Sequence, residues 1–115
     1  MLEISQIRSG GKVYNINDPD AQPKRKVETQ IETTVSISPN VLNVWGEVAE
    51  LNITLAEGEE GVVNEYMVQF TSGATATTLT LPDSIVWMSA PNIQANKTYQ
   101  LSIINNLGVI GEFSL

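Results

Sequence analysis

The chain carries 13 acidic side chains but neither histidine nor cysteine. The usual nucleophile–base pairs, a thiol nucleophile and any thiolate metal site are therefore ruled out. What remains on paper is a Ser–Lys arrangement or a pair of carboxylates, and paired carboxylates need a defined separation across a cleft. Here the acids fall mainly in turn-like stretches: Asp18 and Asp20, then Glu57, Glu59 and Glu60, then Asp83. Turn acids are ordinarily just solvated, so the chain is read as a non-enzyme. Asn15, Asn17, Asp18 and Asp20 are rich in the oxygen ligands that calcium prefers. Their spacing matches no recognised loop, however, and Pro19 limits how the segment wraps. Turn formation is the better reading there and at Glu57-Gly58-Glu59-Glu60, and no metal or cofactor is expected.

Aromatic side chains offer the other route to a site, as platforms for sugars or anchors for a second subunit. Tyr66, Phe70 and Tyr99 sit at alternating positions and are assigned to the core. Trp45, just before Gly46, and Trp87, beside Met88, are expected at strand ends, partly exposed, as subunit contacts rather than sugar platforms. The threonine-rich run Thr75-Ala76-Thr77-Thr78-Leu79-Thr80 places hydroxyls toward water or a neighbouring copy. Asn52-Ile53-Thr54 and Asn96-Lys97-Thr98 match the glycosylation acceptor pattern, but the start of the chain lacks the form of a signal peptide and both are read as chance matches.

Composition narrows the class. The 115 residues suffice for one domain with a short arm, and 42% hydrophobic content is enough for a core. A net charge of −7, with six basic residues, argues against a nucleic-acid-binding face. The single basic cluster, Lys24-Arg25-Lys26, reads as a solvated connector or a salt-bridging contact on a neighbouring subunit. No apolar run approaches the roughly 20 residues that span a bilayer, so membrane insertion is not expected.

The elements that would position these residues are strands. Leu2–Ile7 and Lys12–Ile16 are short apolar-bearing runs joined by Ser9-Gly10-Gly11, which can supply a tight hairpin turn. An isolated hairpin is barely stable, so Ile4, Ile7, Val13, Tyr14 and Ile16 are candidate contacts by which this arm docks. Asn17-Asp18-Pro19 forms a turn or caps a short helix, and the stretch that follows is polar. Short strand-like runs then recur near every ten residues, most of them alternating: Thr33–Ser38, Val41–Trp45, Leu51–Leu55, Tyr66–Phe70, Leu79–Leu81, the denser apolar run Ile85–Met88, Tyr99–Ile103 and Val109–Phe113. Pro39-Asn40, Thr71-Ser72-Gly73, Pro82-Asp83, Pro91-Asn92 and Asn105-Asn106 punctuate them. This is the pattern of an all-β fold, an antiparallel β-sandwich (jelly-roll-like) preceded by an N-terminal β-hairpin arm. The divisions are residues 1–20 for the arm, 21–31 for a polar connector and 32–115 for the sandwich.

Two stretches resemble known proteins. Met1 to Asp20, with Val13-Tyr14-Asn15-Ile16-Asn17-Asp18, resembles the opening of many phage tail and fibre-type proteins, which often carry aliphatic-Tyr-Asp-Ile-Lys-Asp-Ala; Asn15 and Pro19 depart from that pattern. Ser38-Pro39-Asn40-Val41-Leu42-Asn43-Val44-Trp45-Gly46-Glu47-Val48 resembles the start of a β domain at the C-terminal ends of virion proteins from phages of gut bacteria. Asn64–Gly73, Leu79–Pro82 with Trp87, and Asn96–Ser102 continue the likeness. The resemblance implies a virion structural protein, a short fibre or a head or tail decoration. Such a protein attaches by its arm and self-assembles through its β domain, frequently as a homotrimer. Its expected partners are copies of itself and other virion proteins. The alternative is a glycan- or receptor-binding module of a fibre, with a host-surface glycan as partner.

Overall fold

The computed structural model describes residues 26–113, which contain nine strands and no helix. They are β1 (Lys26–Thr29), β2 (Thr34–Ile37), β3 (Val41–Glu47), β4 (Glu50–Leu55), β5 (Glu65–Thr71), β6 (Thr78–Thr80), β7 (Val86–Trp87), β8 (Thr98–Ile104) and β9 (Leu107–Phe113). A large six-stranded sheet has the order β1-β3-β5-β8-β9-β7, and a small three-stranded sheet the order β2-β4-β6. The arm expected over residues 1–20 lies outside the described residues, as does the first part of the connector, residues 21–25. The connector's last part, expected to be a polar strap, contains β1. Its side chains are all exposed, so backbone pairing with β3, not burial, holds it.

Each long strand alternates because one face is buried. On β5, Tyr66, Val68 and Phe70 point inward while Glu65, Met67, Gln69 and Thr71 point outward. On β4 the buried pair is Leu51 and Ile53, and on β8 it is Leu101 and Ile103 with Tyr99 beside them. These residues join Ile37, Trp45 and Ile85 in one apolar cluster, so both sheets contribute to the same core. Phe70 and Tyr99 stack there, ring centroids 5.4 Å apart.

Antiparallel pairing throughout does not hold. Five of the seven strand pairs are parallel, and only β5–β8 and β8–β9 are antiparallel. The reason is that from β1 to β6 successive strands cross between the sheets instead of folding back on themselves. Odd strands join the large sheet and even strands the small one, so each strand lies beside the strand two before it, in the same direction. A parallel pair needs a crossover, and here the crossover is a strand of the opposite sheet. Among the described residues the one true hairpin is β8–β9. Asn105 and Asn106 have φ of 53° and 63°, the positive pair that a two-residue primed turn demands.

Local features explain other departures. Gly46 was expected to end a strand, yet β3 runs on to Glu47 with a register shift between Val44 and Glu47; a bulge absorbs the glycine. The dense apolar run Ile85–Met88 yields only the two-residue β7. Asn43, 1% exposed, is a core polar residue with every role filled. Its Nδ2 donates to the carbonyls of Val41 and Met67, both at 3.2 Å, and its Oδ1 accepts from Gln30 Nε2 at 2.9 Å. The side chain thus ties β3 to β5 and to the end of β1.

A second buried polar group holds the crossover from β5 to β6. Thr77 Oγ1 donates to Val48 O at 2.6 Å and lies 3.0 Å from Ser72 Oγ, which accepts from Thr77 N at 3.1 Å. Replacing Thr77 by valine keeps the shape but strands a buried carbonyl and hydroxyl. Urea unfolding should show a loss of about 1–3 kcal/mol. Adding Ser72→Ala should cost less than the sum of the two single changes, because both hydroxyls serve one network.

Candidate functional site

The candidate contacts Ile4, Ile7, Val13, Tyr14 and Ile16 lie outside the described residues. The two tryptophans part company. Trp45 is 1% exposed, and its Nε1 donates to Glu32 O at 2.7 Å. The expectation of a partly exposed contact at Trp45 is therefore corrected: β3 continues its inward alternation from Asn43 to Trp45, and Gly46 comes after the ring is already in the core.

Trp87 is half-buried on the edge strand β7 and packs against the core. Gly108 lies under its ring, where a Cβ would meet Trp87 Cε3 and Cζ3 at 3.0 Å and Ile85 Cγ2 at 3.2 Å. Because β7 pairs with its sheet at just two positions, Val86–Leu107 and Trp87–Gly108, it is the element that would give way. Gly108→Val should expose Trp87 to acrylamide quenching while Trp45 stays protected, with a stability loss of about 1–3 kcal/mol.

The acids do not converge. Glu57, Glu59, Glu60 and Asp83 are all exposed. The acidic turn is organised by Asn64, which accepts from Glu59 N and donates to Glu59 O, both at 2.9 Å. No group of three or more metal-capable acids forms among the described residues.

What the strands do assemble is an apolar outer face on the large sheet. The registers place Val27, Leu42, Met67, Ser102 and Val109 side by side in one row across five strands. A second row joins Ile104, Leu107 and Val86. Val27 is 67% exposed, Val86 62%, Val109 50%, Leu107 43% and Ile104 42%. Beside the first row, Gly111 leaves a shallow depression of about 490 Å³ walled by Leu42, Gln100, Val109 and Phe113. Polar groups on this face are paired: Gln100 Nε2 donates to Gln69 Oε1 at 2.8 Å, and Ser102 Oγ to Glu65 Oε2 at 2.6 Å. A contiguous exposed apolar face is unusual on a single soluble chain and makes this the candidate contact surface.

Sequence reading missed this face, although a signal for it was present. Val41-Leu42, Ile103-Ile104 and Val109-Ile110 are adjacent apolar residues within alternating strands, and two neighbours in a strand cannot both face one core. One member of each pair had to point outward.

The outer face of the small sheet differs in kind. It presents Thr34 and Ser36 from β2, Asn52 and Thr54 from β4, and Thr78 and Thr80 from β6, in register. Glu50, beside Thr78, is the one charged side chain among these three strands.

No family model matches the chain, and neither a curated protein nor a solved structure is similar to it.

Proposed function

We propose that this protein is a non-enzymatic structural component of a bacteriophage virion, a short fibre or a head or tail decoration. It attaches through its N-terminal arm and assembles with copies of itself, as a homotrimer, through the outer face of the large sheet. The observation that carries the assembly reading is the row Val27–Leu42–Met67–Ser102–Val109, apolar at four of five positions and running across five strands. Burying such a face gains roughly 25 cal/mol for each Å² of apolar surface removed from water. A domain of this size has a modest core and draws added stability from association. The virion context rests on the likeness of the arm and of the segments around Ser38–Val48 and Asn64–Gly73 to phage proteins. The two sheets over one core are read as the layers of a β-sandwich.

Light scattering on the full chain at virion-like concentration tests the assembly. A mass three times that of the 12.5 kDa chain is expected, and a strictly monomeric species overturns the reading.

A second reading is a glycan- or receptor-binding module of such a fibre. It is supported by the hydroxyl and amide groups of Thr34, Asn52, Thr54 and Thr80 on the small sheet, which suit a polyhydroxylated ligand. A glycan array tests it: signal lost in Asn52→Ala/Thr80→Val supports it, and no signal above background removes it.

A further inference from the structure

Among the described residues β6 is an edge strand of the small sheet and β7 an edge strand of the large one, and the two border a cleft of about 320 Å³. Its walls come from segments that are each pinned. β6 is held on β4 and β7 on β9. Between them residues 82–85 form a tight turn, closed by Ile85 N donating to Pro82 O at 3.2 Å. Residues 91–93 are fixed by Tyr99, whose hydroxyl accepts from Gln94 N at 2.6 Å and lies 3.4 Å from Asn92 O. The cleft is thus preformed, and it sits at the small end of the roughly 300–1,000 Å³ range of ligand pockets.

We propose that this cleft binds a quaternary ammonium group, a trimethylammonium of the choline type. Seven of its eight lining residues are apolar, Trp87, Pro82, Pro91 and Ile93 among them, and the eighth is Asp83. An indole face attracts a cation through the ring quadrupole, and the carboxylate supplies the opposite charge. Among the described residues neither the Asp83 carboxylate nor the Trp87 indole N–H has a hydrogen-bond or ionic partner. Nor does a cation of the described chain fill the cleft: Lys97 is paired with Glu112 at 3.1 Å, and neither Lys97 nor Lys26 lines it.

The same walls disfavour other ligands. An anion would meet Asp83, and a sugar needs several directed donors and acceptors where the cleft has one polar side chain. A primary ammonium such as a lysine side chain carries three N–H donors and a tight hydration shell, which one carboxylate cannot replace. A trimethylammonium has no donor to satisfy, and its methyl groups bury against the prolines and Ile93. The site goes beyond both readings above, and it uses none of the residues that carry the assembly or the glycan reading.

The test is a titration of the full chain with choline, followed by NMR through the indole N–H resonance of Trp87. The Trp45 indole, buried and bonded to Glu32 O, is the internal reference. Choline should shift the Trp87 resonance saturably and leave that of Trp45 in place. Its uncharged isostere dimethylbutanol, and butylammonium as a lysine-like probe, should each bind at least about fivefold more weakly. Asp83→Asn, in an exposed turn whose side chain makes no structural contact, should weaken choline about threefold and leave dimethylbutanol unchanged. No shift with choline, equal binding of the uncharged isostere, tighter binding of butylammonium, or choline binding unchanged in Asp83→Asn overturns the proposal. Sedimentation with phosphatidylcholine vesicles separates the sources of the group: co-sedimentation assigns it to a displayed headgroup, and binding of free choline alone assigns it to a small solute. None of these outcomes depends on the mass found by light scattering or on the glycan array, so the proposals can fail separately.

Discussion

Trp45→Ala should be the most damaging single substitution among the described residues. The side chain heads the group of largest fully buried residues and lies in the cluster that Ile37, Leu51, Ile53 and Phe70 share across the two sheets. Removing it takes away the transfer energy of the indole and leaves a cavity that strands pinned on both sides cannot close. Tryptophan-to-alanine changes of this kind cost about 3–5 kcal/mol. Small domains have a total stability of about 5–15 kcal/mol, so the loss is a large fraction of the whole. The melting temperature should fall by roughly 15 °C or more, read by circular dichroism at strand wavelengths. Trp45→Phe separates the two contributions. It keeps most of the apolar bulk but loses the 2.7 Å bond to Glu32 O, whose loss by itself costs about 1 kcal/mol. A phenylalanine variant as unstable as the alanine one would mean that the hydrogen bond, not packing, dominates at this position.

Leu107→Glu/Val109→Glu should have the opposite profile, with a large effect on assembly and a small one on the fold. Both side chains point outward from β9, 43% and 50% exposed, so a carboxylate at either site stays solvated in the single chain. The same carboxylate in a subunit interface must be desolvated without a partner, and an uncompensated buried charge costs about 3–5 kcal/mol. Each 1.4 kcal/mol is a factor of about ten in affinity, so two charges should weaken association at least about 100-fold. Sedimentation velocity should show the variant as a single chain at concentrations where the wild type is oligomeric. Its melting curve, taken on the dissociated species, should match that of dissociated wild type. An oligomer that survives both charges would place the interface away from the outer face of the large sheet and overturn this assignment.

These two outcomes depend on one distinction, between the face of a strand and its place in a sheet. The alternation of Tyr66, Val68 and Phe70 and of Tyr99, Leu101 and Ile103 is visible in the sequence and recurs in the structure as their burial. The hairpin turn was legible as well. Asn105-Asn106 is a pair that tolerates positive φ, and both residues adopt it. Trp45 was misplaced because Gly46 looked like a strand end, whereas the strand passes through the glycine at a bulge. The assembly face was overlooked for a related reason. Leu42, Met67 and Val109 are far apart in the chain, and only the registers bring them into one row.

By itself, then, the order of residues determined that this protein is built of strands, which side chains hide along the regularly alternating ones, and that no histidine or cysteine chemistry is available to it. A period of two is a local property, set by the pleat, and it survives whatever the strand pairs with. Tertiary structure alone decided the partners. Short connections such as residues 38–40 and 48–49 carry the chain across to the other sheet rather than back along the same one. That choice depends on where the opposite apolar face lies, not on the turn residues themselves. It is what makes β1, β3 and β5 parallel and aligns their outward apolar side chains.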